Sequence, residues 1–421
     1  MPVNILHSAQ MGVDSSYAGG LKISVTSILG PVPIRDATVS ISYTGAENAT
    51  IERLNTNESG QTEEIELPAP PLEYSLEPES SRPYSEYNIQ VEAPGYEPIL
   101  ISGTQILPDT LALQPIEMVP LEGEPEEVIV IPDHTLYGDY PPKIPEDEIK
   151  PMDETGEIVL SRVVIPEFIV VHDGVPSDAS APNYYVRYKD YIKNVASSEV
   201  YATWPESSLY ANILAIMSVT LNRVYTEWYR NQGYNFTITS STAYDQKWMK
   251  GRNIFENIDY LVDNVFANYL SRPGVRQPIF TSFCDGTRVQ CAGLSQWGSK
   301  YLGDEGYSAI EIIRNYFGND MYINTAESIA GVPSSWPGYN LTVGSSGESV
   351  LQIQQQLNRI AQNYPALPTV ATDGIYGPET ADAVRIFQGI FNIPPSGIVD
   401  YPTWYQISNI YVGVTRMAEL S

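Results

Sequence analysis

The sequence predicts a multidomain chain: an all-β N-terminal region, a central α+β region and a helical C-terminal region. Three patterns carry this expectation. Leu21-Lys22-Ile23-Ser24-Val25 and Ala37-Thr38-Val39-Ser40-Ile41 alternate apolar and polar residues with period two, as half-buried strands do. Beyond Pro205, apolar residues recur at Leu209, Ile213, Ile216, Met217 and Leu221, which is helical spacing. Near the C-terminus, Val350, Ile353, Leu357 and Ile360 make one apolar helix face, and Ala383, Val384 and Phe387 another. A length of 421 residues leaves room for several domains, and 43% hydrophobic residues are ample for their cores. Shifts in composition place the regions at 1–120, 121–157, 158–335 and 336–421.

The charge excludes whole classes of partner. A net charge of −28 argues against nucleic acid, whose phosphates need basic patches, and against anionic lipid. Met1-Pro2-Val3-Asn4-Ile5-Leu6-His7 lacks the basic region and apolar run of a signal peptide, and no segment approaches the length of a membrane span. A soluble protein without the usual export signal is expected. The 30 tyrosines suit carbohydrate, through flat faces and polar tips, but equally suit cores and strands.

Taken in order, the N-terminal strands are separated by a turn at Asn57-Glu58-Ser59-Gly60 and followed by Tyr87-Asn88-Ile89-Gln90-Val91 and Ala93-Pro94-Gly95-Tyr96. Residues 121–157 turn acidic and proline-rich, as in Glu122-Gly123-Glu124-Pro125-Glu126-Glu127 and Pro141-Pro142-Lys143-Ile144-Pro145-Glu146-Asp147-Glu148. Such a stretch predicts an extended, protease-accessible linker, within which Val128-Ile129-Val130-Ile131 is able to add a strand to a neighbouring sheet. Strand patterns return at Ile158-Val159-Leu160, Phe168-Ile169-Val170-Val171 and Phe236-Thr237-Ile238-Thr239. A second helix is expected from about Ile254 to Tyr269, and a short one from Ile310 to Tyr316.

The central region is organised around one carboxylate. Glu199 sits in an apolar, aromatic stretch from Asn194 to Pro205. Thr203 with Glu206 fits a capping box, Pro205 fits a first helical turn, and Asn231-Gln232-Gly233 fits a stop. Glu199 is then expected at the positive end of that helix. The dipole favours the carboxylate there, while burial against Tyr201 and Trp204 favours the neutral acid. A group balanced between those terms suits general acid and then base work; a capping or surface glutamate is the plainer alternative.

At these residues a family resemblance enters. Val195-Ala196-Ser197-Ser198-Glu199, with Trp204-Pro205 and the helix, resembles the glutamate motif of the stage II sporulation protein D family. Ser241-Thr242 with Gln246 is similar to that family's Ser/Thr-to-Gln stretch. Gly293-Leu294-Ser295-Gln296-Trp297-Gly298 with Gly306-Tyr307 resembles its Gly-x-Ser-Gln-x-Gly signature. The resemblance implies a lytic transglycosylase that cuts peptidoglycan glycan strands, with Glu199 as the catalytic acid/base. Ser241, Thr242, Gln246, Ser295, Gln296 and Trp297 become candidate substrate-binding residues, with loop hydrogen bonding as the alternative for the hydroxyl and amide groups. Such an enzyme needs one carboxylate: it protonates the glycosidic oxygen, then takes the proton of the sugar's own 6-hydroxyl. A hydrolase needs a second, for which Asp245 and Asp285 are the nearest candidates by motif.

The match has departures. Asn212 and Met217 stand where the family usually carries Gln and Arg. Its zinc cluster is not reproduced: Cys284 and Cys291 are present, but the histidines are His7, His134 and His172, and a tetrahedral site needs four ligands. No metal and no cofactor are therefore expected. The cysteines are read as free thiols or a local disulfide, and His172 as a structural turn histidine.

The flanking regions have resemblances of their own. The N-terminal order of strands and turns resembles the transthyretin-like sandwich, implying a structural or inhibitory prodomain. Gly344, Gly347 and Val350, then Asp373-Gly374, Tyr376-Gly377, Thr380 and Phe387-Gln388, then Gly397, Asp400 and Thr403-Trp404 resemble the three-helix peptidoglycan-binding domain type 1. Tyr376 and Trp404 are its candidate wall contacts, with core packing as the alternative. The order of regions resembles the clostridial spore-cortex-lytic enzymes. That implies a zymogen in the cortex and coat region of the spore, activated by a germination protease and acting on spore cortex peptidoglycan. A non-catalytic wall-binding enhancer of another hydrolase and a coat structural protein are the competing readings.

Overall fold

The computed structural model describes residues 17–46, 49–79, 81–121, 126–150, 162–326 and 328–415. The N-terminal stretch Met1–His7, the acidic run at 122–125, the linker end at 151–157 and the strand expected at Ile158–Leu160 lie outside the described residues.

Period-two alternation becomes a two-sheet sandwich. Its strands are β1 (Ala18–Ser27), β2 (Gly30–Pro33), β3 (Thr38–Tyr43), β4 (Thr50–Asn55), β5 (Ile65–Pro68), β6 (Ser85–Glu92), β7 (Ile99–Ile106), β8 (Leu111–Met118) and β9 (Glu127–Val130). One sheet runs β4-β3-β6-β7-β9; in the other, β1 lies between β8 and the pair β2 and β5. Leu21, Ile23 and Val25 from β1 share a core with Val39, Ile41, Tyr87, Ile89 and Val91. β9 falls in the expected linker. As the run Val128-Ile129-Val130-Ile131 allowed, it adds a strand to a neighbouring sheet, a parallel edge strand of this sandwich with Ile99 opposite Glu127 and Ser102 opposite Val130.

The central region contains β10 (Val164–Ile165), β11 (Phe168–His172), β12 (Asn183–Arg187), α1 (Tyr188–Glu199), α2 (Glu206–Tyr225), β13 (Ile238–Thr239), β14 (Ile254–Phe255), α3 (Glu256–Val265), β15 (Asn268–Ser271), β16 (Phe283–Cys284), β17 (Leu294–Ser295), α4 (Gln296–Asp304), α5 (Ala309–Phe317), β18 (Tyr322–Thr325) and β19 (Ser328–Ile329). Helices surround small sheets, the largest being β12-β11-β13. β14 pairs antiparallel with β8 and so completes the sandwich's second sheet. The helix expected to reach Tyr269 stops at Val265, because residues 268–271 pair with β18. α2 begins behind Pro205 with no side-chain cap. The capping box at Thr203 does not form, since its Oγ1 donates instead to Ser75 Oγ at 2.8 Å. α2 ends at Tyr225, and Gly233, at φ +88°, closes a 3-10 turn after it.

Three helices form the C-terminal unit: α6 (Glu348–Ala361), α7 (Pro378–Ile390) and α8 (Tyr401–Thr415). Val350, Ile353, Leu357, Val384 and Phe387 are buried together as their spacing requires. Two buried glutamines tie the loops to the helices in the same way. Gln354 accepts from Gly374 N and donates to Asp373, and Gln388 accepts from Gly397 N and donates to Thr403 Oγ1. The unit rests on the rest of the chain. Gln61 Nε2 donates to the Ile390 carbonyl at 2.6 Å, and the Phe266 ring packs on Tyr401 and Tyr405. Among the described residues, no helix is long and apolar enough to cross a membrane.

Candidate active site

Glu199 is the last residue of α1, not a residue leading into the positive end of α2. The chain from Asn194 to Pro205 folds this way because Trp204 and Tyr201 turn inward and pack on Trp297, with Trp204 and Trp297 centroids 4.8 Å apart. The carboxylate is wholly buried. Its Oε1 accepts the Lys247 backbone N–H at 2.7 Å, and its Oε2 accepts Gln296 Nε2 at 2.9 Å. Gln296 is the first residue of α4, so the side chain that meets Glu199 comes from the start of that helix. Burial pushes the Glu199 carboxyl above its ordinary value, against the opposing pull of Lys143, the Lys247 N–H and Gln296.

All three sequence motifs therefore converge on one carboxylate, but through fewer side chains than expected. Gln296 is the direct partner. Ser295 caps α4, accepting from Gly298 N at 3.0 Å. Gly293 lets the preceding turn close, since a Cβ there would sit 2.0 Å from the Ser282 carbonyl oxygen. Trp297 is 2% exposed and locked in the aromatic cluster, so the expected sugar contact is corrected to core packing. Gln246 is also interior: its Nε2 donates to Tyr191 OH and Thr220 Oγ1, binding α1 to α2, which corrects it from sugar contact to structural tie. Ser241 is half-buried and its carbonyl closes the turn to Asp245; Thr242 is buried beside it. Asn212 reaches Ser299 Oγ at 2.7 Å across to α4, and Met217 is core.

Neither alternative carboxylate is free. Asp245 accepts from Arg223 Nε at 2.6 Å, Tyr229 OH, Thr239 N and Thr239 Oγ1. Asp285 accepts from Thr287, Arg288 and Val289, and these donors hold its carboxyl below the ordinary range despite burial. Both act as loop anchors. Cys284 and Cys291 are joined in a disulfide beside this second anchor. His172 closes β11, stacked on Phe236 and hydrogen-bonded to Asn183.

The wall contacts expected of the C-terminal unit are corrected too. Tyr376 and Trp404 are 0% and 1% exposed. Tyr376 OH donates to the Gly397 carbonyl and Trp404 Nε1 to the Ser334 carbonyl, so both rings are core.

Sequence reasoning missed what covers Glu199. Residues 132–150, expected as free linker, lie against the central region. Thr135 N donates to the Ser198 carbonyl, Ile144 N to the Ala243 carbonyl, and Lys143 Nζ to the Asp245 carbonyl. Tyr140 and Lys143 come close enough to Glu199 to feel its charge; burial, offset by Glu199 and Asp245, pulls the Lys143 ammonium down to about 8. The one available signal was the spacing of Tyr140, Lys143 and Glu146 within an otherwise disorder-like composition. A cavity of about 300 Å³ lies between Asp109, Thr110, Thr203, Glu256 and Asn257, and neither Glu199 nor its hydrogen-bond partners line it.

Comparison with known proteins reaches the C-terminal unit most directly. Residues 346–407 match the family model described as "Putative peptidoglycan binding domain". No curated protein matches the chain. Among solved structures, the chain is similar to the SleB N-terminal domain at 27% identity, over 18% of this chain and 99% of that one, with a TM-score of 0.16. It is similar to the Bacillus anthracis TIE protein at 17% identity, over 25% of this chain and 17% of that one, TM-score 0.19. A 3-chlorocatechol 1,2-dioxygenase from Rhodococcus opacus matches at 13% identity, over 28% of this chain and 62% of that one, TM-score 0.16.

Proposed function

We propose that this chain is a peptidoglycan-cleaving lytic transglycosylase of the spore cortex, held on the wall by its C-terminal unit and made as a zymogen that a germination protease activates. The observation that carries the reading is Glu199. It is a buried carboxyl, raised above its ordinary value, with one hydrogen bond to each oxygen and no unanchored aspartate among its motif neighbours. A raised carboxyl favours the protonated form that donates to a leaving glycosidic oxygen. The reaction then balances without water. The Glu199 proton goes to the leaving oxygen as the anomeric C–O bond breaks, the sugar's O6 forms the new bond to the anomeric carbon, and the 6-hydroxyl proton returns to Glu199. Asp245 and Asp285, the two candidates for activating water, are both held by other donors, which favours transglycosylation over hydrolysis. The match of residues 346–407 to a peptidoglycan-binding family supports the wall as partner.

The test is product analysis on cortex fragments by mass spectrometry with chain activated by proteolysis. Anhydromuramic ends are expected; reducing ends point to a hydrolase, and no new ends to a wall-binding enhancer. Glu199→Gln is expected to lower the rate by on the order of a hundred- to ten-thousand-fold with folding intact. A near-normal rate in that variant removes Glu199 from the chemistry.

A further inference from the structure

We infer that the trough over Glu199, filled here by residues 132–150, is the groove that takes a glycan strand, and that this segment is the groove's own competing occupant. The inference rests on the glycan-cleaving reading above and names what regulates that site.

The segment touches each loop that carries a site motif. Beside Glu199, Thr135 N donates to Ser198 O at 3.3 Å and His134 Nε2 lies 3.3 Å from Val200 O. On the Ser241–Gln246 loop it meets Ala243 and Asp245 through Ile144 and Lys143. On the loop before Gly293, Tyr140 OH donates to Phe283 O at 3.4 Å, and Arg288 donates to the Thr135 and Gly138 carbonyls. A segment that contacts all three at once covers the place where they converge.

Pro132, Pro141, Pro142 and Pro145 deny the segment a continuous ladder, and between Ile131 and Asp147 it joins no strand. It turns once at 134–138 and is held by scattered hydrogen bonds to loop carbonyls and a guanidinium. Those groups serve an extended polymer of hydroxyls and acetamides equally well. One acceptor is left over: Gln296 Oε1 is buried beside Glu199 with no partner, although its Nε2 is fixed on the carboxylate. An acetamido N–H supplies what it lacks.

The segment is fastened at both ends. β9 secures one end to the sandwich. Ion pairs secure the other: Glu146 with Arg223 at 2.6 Å and Glu148 with Arg272 at 2.6 Å. Gln277 Oε1 accepts Lys150 N at 2.7 Å. Between these ends the outer face is open, with Pro141, Pro142, Ile144 and Pro145 exposed. The strap also meets the acid electrostatically: burial raises the Glu199 carboxyl, and the Lys143 ammonium opposes that rise.

The experiment reads exposure of Glu199 separately from catalysis. Carbodiimide-driven amine labelling of Glu199 is followed by peptide mass spectrometry in three forms of the full chain: unchanged, Glu146→Gln with Glu148→Gln, and a form with a site-specific protease sequence inserted after Gly138 and cut after folding. Labelling is expected to rise at least tenfold in the two altered forms. A soluble peptidoglycan tetrasaccharide is expected to suppress that labelling in them and to change nothing in the unchanged chain. Equal labelling in all three forms overturns the strap. Raised labelling that the tetrasaccharide leaves untouched overturns the groove. Raised, suppressible labelling without new glycan ends leaves this inference standing and overturns the catalytic reading instead.

Discussion

At the residue scale, Glu199 and Gln296 form one unit whose parts have different tasks. Gln296 donates through Nε2 to the carboxylate and keeps Oε1 unpartnered. That spare acceptor makes Glu199→Gln structurally benign: the Gln296 amide is able to turn, so that its oxygen accepts from the new side-chain nitrogen. The stability consequence follows from the raised carboxyl. A raised folded-state value means the native chain holds this proton more tightly than the unfolded chain. No penalty exists below the unfolded value; it grows as pH rises from there towards the folded value. Glu199→Gln is therefore expected to melt higher than the unchanged chain near neutral pH, by about 2–4 °C per kcal/mol relieved. The two curves are expected to converge at about pH 4. Scanning calorimetry across pH checks this, and a gap independent of pH contradicts the assignment.

At the scale of elements, the C-terminal helices illustrate how a motif residue serves its fold. Trp404, in the first turn of α8, is buried and bonded to the Ser334 carbonyl, and its ring meets Trp336 edge-on. Trp404→Ala removes a core ring and is expected to cost about 3–5 kcal/mol. Urea unfolding followed by a signal local to α6–α8 reads the loss. Weakened sedimentation with peptidoglycan at unchanged stability would instead return Trp404 to the wall-contacting surface. Binding surface must come from groups that the helices leave outside, among which Ile375 is 58% exposed on the loop ahead of α7.

At the scale of the whole molecule, the sandwich is built into its neighbours rather than tethered to them. β14 of the central region extends the sheet that contains β8. Asn253 exchanges two hydrogen bonds with the Gln105 backbone, at 3.0 and 2.9 Å. Gly251 comes so close to β9 that a Cβ there would lie 2.6 Å from Ile129 Cγ2. A cut placed within 122–125 is therefore expected to leave the sandwich bound, with both fragments eluting together in size-exclusion chromatography. Adding Gly251→Val to the cut chain is expected to shift the fragments towards separate elution. Separation without that substitution would mean the contacts across β8 and β14 do not hold the sandwich alone.

Local pattern was sufficient where a residue's partners lie nearby in sequence. Period-two alternation in β1 and β3 and helical spacing in α2, α6 and α7 follow from solvent on one face and core on the other, so those elements were legible from residue order alone. The burial of Glu199 was legible too, from an acid set amid aromatic residues. The lesson is different for Trp297, Gln246, Tyr376 and Trp404, where residue type and loop position suggested a ligand and burial assigned them to the interior. Chemical type says what a side chain is able to bind; only packing says whether it is reachable. The strap is the clearest case. Acidic, proline-rich residues cannot build a core of their own, and their composition suggests an extended linker. What composition cannot carry is the complementary surface, in which Arg223 and Arg272, far away in sequence, meet Glu146 and Glu148. Long-range ion pairs and backbone bonds to loop carbonyls leave no periodic trace, so the tertiary structure alone decided that this segment lies over the carboxylate.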